Sequence, residues 1–283
     1  MANLVLNEKK LAEAPAGWAA PNAPSPGGQV WAPPTVPGAP TAPVTDGPVS
    51  RWSGGVMTLS GTITATGVLF TLLLISATVG WFAATGPETV EGRETFEFPG
   101  LALAGVAVGF ACVIALMFRP QLARVLAPVY AIAQGFAVGA ISKGYETLYD
   151  GIVVQAAGAT LGVFAVMLVL YRTRIIKVTA RFRKVIIFAT LGIMAFYLVS
   201  FVISMFGADI RFFDEPNALG IGFSIVVSVL AALNLTLDFD FIERGTKMGL
   251  AKHFEWYAAF GLLVTIVWLY LELLRLLSKL QQR

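Results

Sequence analysis

The chain has 283 residues, of which 57% are hydrophobic and 13% charged, and its formal net charge is +3. Soluble domains are about a quarter charged, so this composition excludes a water-soluble globular domain and predicts an all-α membrane protein with several spans. The single cysteine, Cys112, excludes a disulfide within the chain and a metal site built from thiolates.

Residues 1–55 differ in composition from the rest of the chain. Ten of the fifteen prolines lie in this stretch, mixed with glycine and alanine. Such a segment buries little apolar surface and disfavours helix and sheet, so we expect a disordered tail. Two similar tetrapeptides, WAAP at 18–21 and WAPP at 31–34, are either docking peptides or parts of a low-complexity tether. The start lacks the basic-then-apolar order of a signal peptide, so we expect no cleavage.

Seven apolar runs follow the tail, and each is close to the ~20 residues that a helix needs to cross about 30 Å of hydrocarbon. Run length and the absence of alternating polarity predict helices and not barrel strands. The predicted transmembrane domain is a seven-helix bundle over residues 56–283. Its spans lie at roughly 59–84, 98–118, 125–143, 150–171, 185–206, 217–242 and 256–280.

Acidic and basic loops alternate between these runs. The acidic loops are 85–97, 144–149 and 207–216, and the basic loops are 119–124, 171–184 and 243–255. The positive-inside rule therefore places the tail and the basic loops in the cytoplasm, and we expect the plasma membrane as the location. The basic cluster at 172–184 is either a topology signal alone or a site for anionic lipid.

The C-terminal charges conflict with this orientation. Seven full spans would leave Arg275, Lys279 and Arg283 outside, against the positive-inside rule. A last segment that enters the membrane and returns would place them inside. The sequence leaves both arrangements open.

Small residues recur at four-residue spacing in the second, third and fourth runs, which lets helices approach closely in lipid. These stripes are Gly105 and Gly109; Ala127, Ala131, Gly135 and Gly139; and Gly158 and Gly162. We expect all three stripes to pack inside a compact bundle.

The sixth run has one face of small and polar residues. Its members are Ser224, Ser228, Ala231, Asn234 and Asp238, at steps of three or four residues. We expect this face to point into the bundle, because a carboxylate at the centre of a bilayer costs about 2.5 kcal/mol or more. Asn234 and Ser228 are therefore candidates for lining a pore. Asp240 lies about 200° round the helix from Asp238, and Arg244 at i+4 favours a solvated ion pair for it.

Glu272 lies on a comparable face of the seventh run. The members of this face are Gly261, Thr265, Trp268, Glu272 and Arg275. Either Glu272 forms a local pair with Arg275 near the interface, or it faces Asp238 in the core. In the second case the two carboxyls would share a proton, because both cannot ionise cheaply in a poorly hydrated place.

Such a pair would respond to pH. Loss of the shared proton would leave two charges that repel each other and push the helices apart, so acid would close the bundle and alkali would open it. Straight antiparallel helices, however, place Asp238 and Glu272 at depths that differ by roughly 18 Å. The pair therefore requires a loop that climbs into the bundle or a broken last helix.

Enzyme chemistry is not expected. The single histidine, His253, lies in a loop beside Lys252, which offers no axial haem ligand inside the bundle. Glu272 is not the second aspartate of an intramembrane aspartyl protease, and Lys279 lies too near the end of its run for a retinal Schiff base. No phosphate-binding glycine loop occurs. We therefore expect no catalytic residue, no metal site and no cofactor.

Three strings resemble the bacterial Bax inhibitor-1 family (YccA-like, transmembrane BAX inhibitor motif). They are ALNLTLDFDFIE at 232–243, WLYLELLRLL at 268–277 and LAPVYAIAQG at 126–135. The resemblance covers about residues 50–283 and leaves the tail outside. It implies a seven-helix bundle with the last helix near the centre.

The resemblance also implies a pH-sensitive calcium leak, gated by an acidic pair between the sixth and seventh helices and a nearby arginine. By position, Asp238 is similar to the first acid, with Asp240 as a substitute, and Glu272 is similar to the second, where relatives commonly have Asp. Arg119 is the match for the arginine. Gln134, a third candidate for lining the pore, stands where relatives often carry an acid, and an uncharged amide there weakens cation attraction.

Two functions follow as alternatives. The first is a pH-gated cation leak with Ca²⁺ as the permeant ion. The second is a non-conducting interaction protein, linked through the resemblance to stress survival and to restraint of a membrane protease, for which the tail is the docking element. We expect the lipid bilayer and a membrane protein as partners, and no nucleic acid. The oligomeric state is left open.

Overall fold

The structure is a computed structural model, and it describes residues 55–84, 88–90, 93–95, 100–205 and 216–282. The tail that we expect to be disordered lies outside the described residues, as do most of the acidic loops at 85–97 and 207–216.

The described residues form seven helices that are long and apolar enough to cross a membrane. They are α1 (Leu59–Ala83), α2 (Gly100–Phe118), α3 (Ala123–Leu148), α4 (Ile152–Arg172), α5 (Ala180–Met205), α6 (Ala218–Lys247) and α7 (Phe254–Gln281). Strands β1 (Glu88–Val90) and β2 (Arg93–Thr95) pair antiparallel after α1, and a 3₁₀ turn (Pro120–Leu122) joins α2 to α3. The protein is therefore a multi-pass, all-α membrane protein, and the predicted fold of seven membrane-spanning helices is confirmed.

Three helices extend further than their apolar runs. The helix α3 continues to Leu148, α5 begins at Ala180, and α6 continues to Lys247. Hydropathy falls where charged residues begin, but the backbone keeps its helical hydrogen bonds past that point. Much of the sequence predicted as loop at 144–149, 180–184 and 243–247 is therefore helix.

Local signals set several helix ends. The Thr58 hydroxyl accepts a hydrogen bond from the Gly61 amide (3.0 Å) at the start of α1, and the Asn217 side chain accepts one from the Gly220 amide (2.7 Å) at the start of α6. Such caps satisfy amides that have no partner inside the helix. Gly151, with φ of 76°, makes the left-handed turn between α3 and α4.

The central helix is α7, which packs against α1, α3, α4 and α6. Buried residues of α7 with no exposed surface, such as Leu263, Leu269 and Leu274, contribute to the cores between these helices. The expectation of a last helix near the centre is confirmed.

Two of the three glycine stripes pack as predicted. A Cβ on Gly135 would lie 2.5 Å from the Leu73 carbonyl oxygen, and one on Gly105 would lie 2.5 Å from the Ala133 carbonyl oxygen. These glycines bring α3 against α1 and α2 against α3. The prediction for Gly158 and Gly162 is wrong, because a Cβ at either position meets nothing within 4 Å among the described residues. The glycine face of α4 points away from its neighbours.

The residues before α1 are fastened to the turn between α6 and α7. The Met57 amide donates to the Leu250 carbonyl (2.7 Å), and Val56 forms a β-bridge with Ala251. The Glu255 carboxylate accepts hydrogen bonds from the Thr58 amide (2.9 Å) and hydroxyl (2.8 Å). Glu255 is 5% exposed, and as an acid at two helix N-termini it also complements both helix dipoles.

We expect Glu255→Ala to lower the free energy of unfolding by about 1–3 kcal/mol, since it leaves the Thr58 amide and hydroxyl without their acceptor. Glu255→Gln keeps an acceptor oxygen and should lose much less. Thermal unfolding of the purified protein in detergent measures both variants. Equal melting temperatures for Glu255→Ala and the natural protein would contradict this role for Glu255.

Candidate functional site

Asp238 lies between α6 and α7, as the polar face of the sixth run predicts. Its Oδ1 atom faces Gly261, at 3.6 Å from the position of a Cβ there, and the Thr265 hydroxyl, which donates to the Gly261 carbonyl (3.1 Å), lies nearby. Its Oδ2 atom is buried and has no hydrogen-bond partner among the described residues. A buried polar atom without a partner is rare in proteins, and a bound water, an ion or a functional role accounts for it.

Glu272 is held between α5 and α7. Its Oε1 atom accepts hydrogen bonds from the Tyr197 hydroxyl (2.9 Å) and the Trp268 indole (3.3 Å), and Arg275 donates to the Tyr197 oxygen (3.0 Å). The residue is 4% exposed, and its Oε2 atom is buried without a hydrogen-bond partner in the described part of the chain. Glu272 is therefore buried among the helices, and Arg275 reaches it through the Tyr197 hydroxyl. Its depth in the membrane stays a prediction.

The structure does not bring Asp238 and Glu272 together. Asp238 lies opposite Gly261 and Thr265, and Glu272 follows Thr265 by seven residues, which is about 10 Å along a helix. The helix α7 is unbroken, and the turn before it stays at the end of the bundle, where Val56 bridges Ala251. The prediction of a directly paired, proton-sharing couple is wrong for this structure, because straight antiparallel helices keep the two carboxyls at different depths.

Lys279 is one of the three C-terminal charges that conflict with the positive-inside rule. It is 2% exposed, and its ammonium donates to the Ser224 hydroxyl (2.9 Å) and the Gly220 carbonyl (3.3 Å) of α6. Because α7 is continuous from Phe254 to Gln281, a last segment that enters and returns is excluded. Lys279 belongs to the bundle interior, whereas the positive-inside rule counts charges in loops.

Asp240 forms the ion pair that its sequence position predicts. It pairs with Arg244, one helical turn on, and also with Arg183 of α5 (3.0 Å). In the sequence, Arg183 is one member of the basic cluster at 172–184, and no local pattern links it to Asp240. Arg119, the expected arginine of the gate, is exposed beside the 3₁₀ turn and forms no ion pair with a described residue.

The three candidates for lining a pore lie in two places. Asn234 donates to the Thr190 hydroxyl (2.9 Å) between α5 and α6, and the Ser228 hydroxyl is buried without a hydrogen-bond partner among the residues described. Gln134 lies elsewhere, because its amide oxygen packs against Gly109 between α2 and α3. Ser228 and Asn234 therefore lie on α6 with Asp238, and Gln134 lies apart from them.

Three separate polar groups follow one another along α7, and we call them the polar track. They are Asp238 with Thr265, Glu272 with Tyr197 and Arg275, and Lys279 with Ser224. From Thr265 to Lys279 the track follows α7 for about 21 Å, which is most of the ~30 Å hydrocarbon thickness. Within the described part of the chain, no cluster of three or more His, Cys, Asp or Glu residues could hold a metal ion.

A comparison with protein families identifies the family of the chain. A sequence model of the family described as Bax inhibitor 1 like matches residues 5–282. The match begins at residue 5, so it includes the tail, which the resemblance was expected to leave out. No protein with a curated function matches the chain. Because the family match covers nearly the whole sequence, the chain belongs to the Bax inhibitor 1 like family.

Proposed function

We propose that this membrane protein is a pH-sensitive cation leak channel that passes Ca²⁺ across the plasma membrane. The observation that carries the proposal is the pair of buried carboxylate oxygens, Asp238 Oδ2 and Glu272 Oε2, that lack hydrogen-bond partners among the described residues. Ionisable residues inside a membrane bundle are costly and are kept for ion or proton pathways. Carboxylate oxygens are also the ligands that Ca²⁺ prefers.

The two acids act at separate depths on the polar track. When protonated, Asp238 and Glu272 are neutral and the helices around them pack closely. When ionised, each becomes a charge in a poorly hydrated place, which costs several kcal/mol unless water or a cation reaches it. When the helices separate, both water and a cation can reach the ionised carboxylates. Acid therefore holds the bundle closed and alkali opens it, without direct repulsion between the two carboxyls.

The other acids of α6 are already neutralised. Asp240 lies between Arg183 and Arg244, and Glu243 accepts hydrogen bonds from Arg174 (2.7 Å) and Lys247 (2.6 Å). These pairs lie at the end with the basic loops, which the positive-inside rule assigns to the cytoplasm together with the N-terminus. Asp238 and Glu272 therefore carry the pH sensing, and Asp240 has a structural role.

Deletion of residues 1–50 separates the channel from the alternative of an interaction protein that restrains a membrane protease through its tail. We expect purified protein in liposomes with a calcium dye inside to pass Ca²⁺ faster at alkaline than at acidic pH, with or without the tail. Protein-free liposomes measure the background leak. A leak equal to this background at every pH would reject the channel and favour the interaction protein, whose partner capture should then need the tail.

A further inference from the structure

An apolar cleft of about 850 Å³ lies between α1, α4, α6 and α7, apart from the polar track. Most of its surface comes from hydrophobic side chains, among them Ile63 and Phe70 of α1 and Phe164 and Leu168 of α4. The cleft lies among membrane-spanning helices, where the surrounding solvent is hydrocarbon. Its natural occupant is therefore an apolar chain and not water.

The length of the cleft fits one leaflet of the bilayer. On α1 its lining begins at Leu59, the first residue of the helix, and ends at Phe70. These eleven steps correspond to about 16 Å, close to half of the ~30 Å hydrocarbon thickness. The cleft can therefore hold the acyl chain of a lipid whose headgroup lies at the end where α1 begins.

That end of the cleft is basic. Arg172, Arg174 and Lys247 line it together with one acid, Glu243, so two positive charges remain in excess. Arg174 and Lys247 are engaged with Glu243. Arg172 is exposed and forms no ion pair within the described part of the chain. An anionic headgroup would therefore meet an arginine that is available to it.

We propose that this cleft binds an anionic phospholipid, with one acyl chain between α1 and α4 and the phosphate at Arg172. Arginine matches phosphate oxygens with two parallel hydrogen bonds. Both halves of the cleft are needed: the apolar part selects a lipid over a soluble anion, and the basic part selects an anionic lipid over a zwitterionic one. The basic cluster at 172–184 therefore contributes to a lipid site in addition to its role as a topology signal.

Native mass spectrometry of the full-length protein in detergent tests the site with phosphatidylglycerol and phosphatidylcholine as probes. We expect the natural protein to retain phosphatidylglycerol preferentially. Arg172→Gln should weaken that binding about fivefold, the effect of one positive charge at an anionic lipid surface. It should weaken phosphatidylcholine binding less, because the choline cation offsets the phosphate charge. Arg181→Gln is the matched control, because Arg181 is an exposed member of the same basic region outside the cleft.

A second variant tests the apolar half. Gly67 lines the cleft and has open space at its Cβ position, so Gly67→Leu should fill the cleft and reduce binding of both lipids. Gly192→Leu is its control, since Gly192 of α5 has equally open space but does not line the cleft.

Three results would overturn the proposal. The first is equal retention of both lipids by the natural protein. The second is the same loss of binding in each variant and its control. The third is a gain of lipid binding on deletion of residues 1–50, which would identify the tail as the occupant.

Discussion

Asp238→Asn is expected to reduce the pH dependence of cation flux through the reconstituted protein to the part that Glu272 contributes. Asparagine has nearly the shape of aspartic acid but cannot ionise, so the Asp238 part of the change that drives the helices apart is lost. The buried Oδ2 atom of Asp238 has no hydrogen-bond partner in the described part of the chain to stabilise its charge. The Asp238 carboxylate therefore needs water or a cation beside it when it ionises. Removal of this carboxyl should have the largest effect on gating.

The matched control is Asp240→Asn, which neutralises an acid on the same helix two residues away. Arg183 and Arg244 already compensate the Asp240 charge, so we expect this variant to keep the pH dependence of the natural protein. Calcium entry into dye-loaded liposomes over a pH series measures both. If Asp238→Asn retains full pH dependence, Asp238 is not the sensor.

Glycine substitutions in α3 and α4 are expected to change stability in opposite directions. A Cβ on Gly139 would overlap the Ala77 carbonyl group of α1. Gly139→Ala should therefore push α3 away from α1 and destabilise the bundle by about 1–3 kcal/mol, the usual cost of overpacking. A Cβ on Gly158 meets nothing within 4 Å among the described residues, so Gly158→Ala should gain up to about 1 kcal/mol from helix propensity.

Unfolding of both variants in a denaturing detergent series gives the two free energies under the same conditions. The backbone change is identical in the two proteins, so their difference isolates the helix contact. Destabilisation of both by the same amount would show that the contact between Gly139 and Ala77 is not tight in the membrane domain.

The fold was largely predictable because each span satisfies its backbone hydrogen bonds within itself. Length and hydropathy therefore locate a helix without knowledge of its neighbours. The ends were less predictable, because Leu148 and Lys247 continue helices beyond the apolar runs. The stripe at Gly158 and Gly162 was misleading, since spacing shows which residues share a face but not which way the face points.

The residues of the candidate site were predictable from their type and spacing, but the residues that they contact were not. Helical periodicity placed Asp238 and Glu272 on polar faces, and the structure keeps them there. Their separation depends on the depth of each helix, which one-dimensional spacing does not give. The partners Tyr197 and Arg183 come from α5, and no local pattern links α5 to an acid far along the chain.

The attachment of α5 has a consequence for motion in the bundle. This helix packs mainly against α6, and its polar attachments include the bonds from Tyr197 to Glu272 and from Asn234 to Thr190. An element with few buried contacts separates at a lower free energy than the rest of a fold. Helices α1 and α3 are in close backbone contact, so we expect them to keep their positions. We expect α5 to be displaced first, and its displacement would expose Glu272.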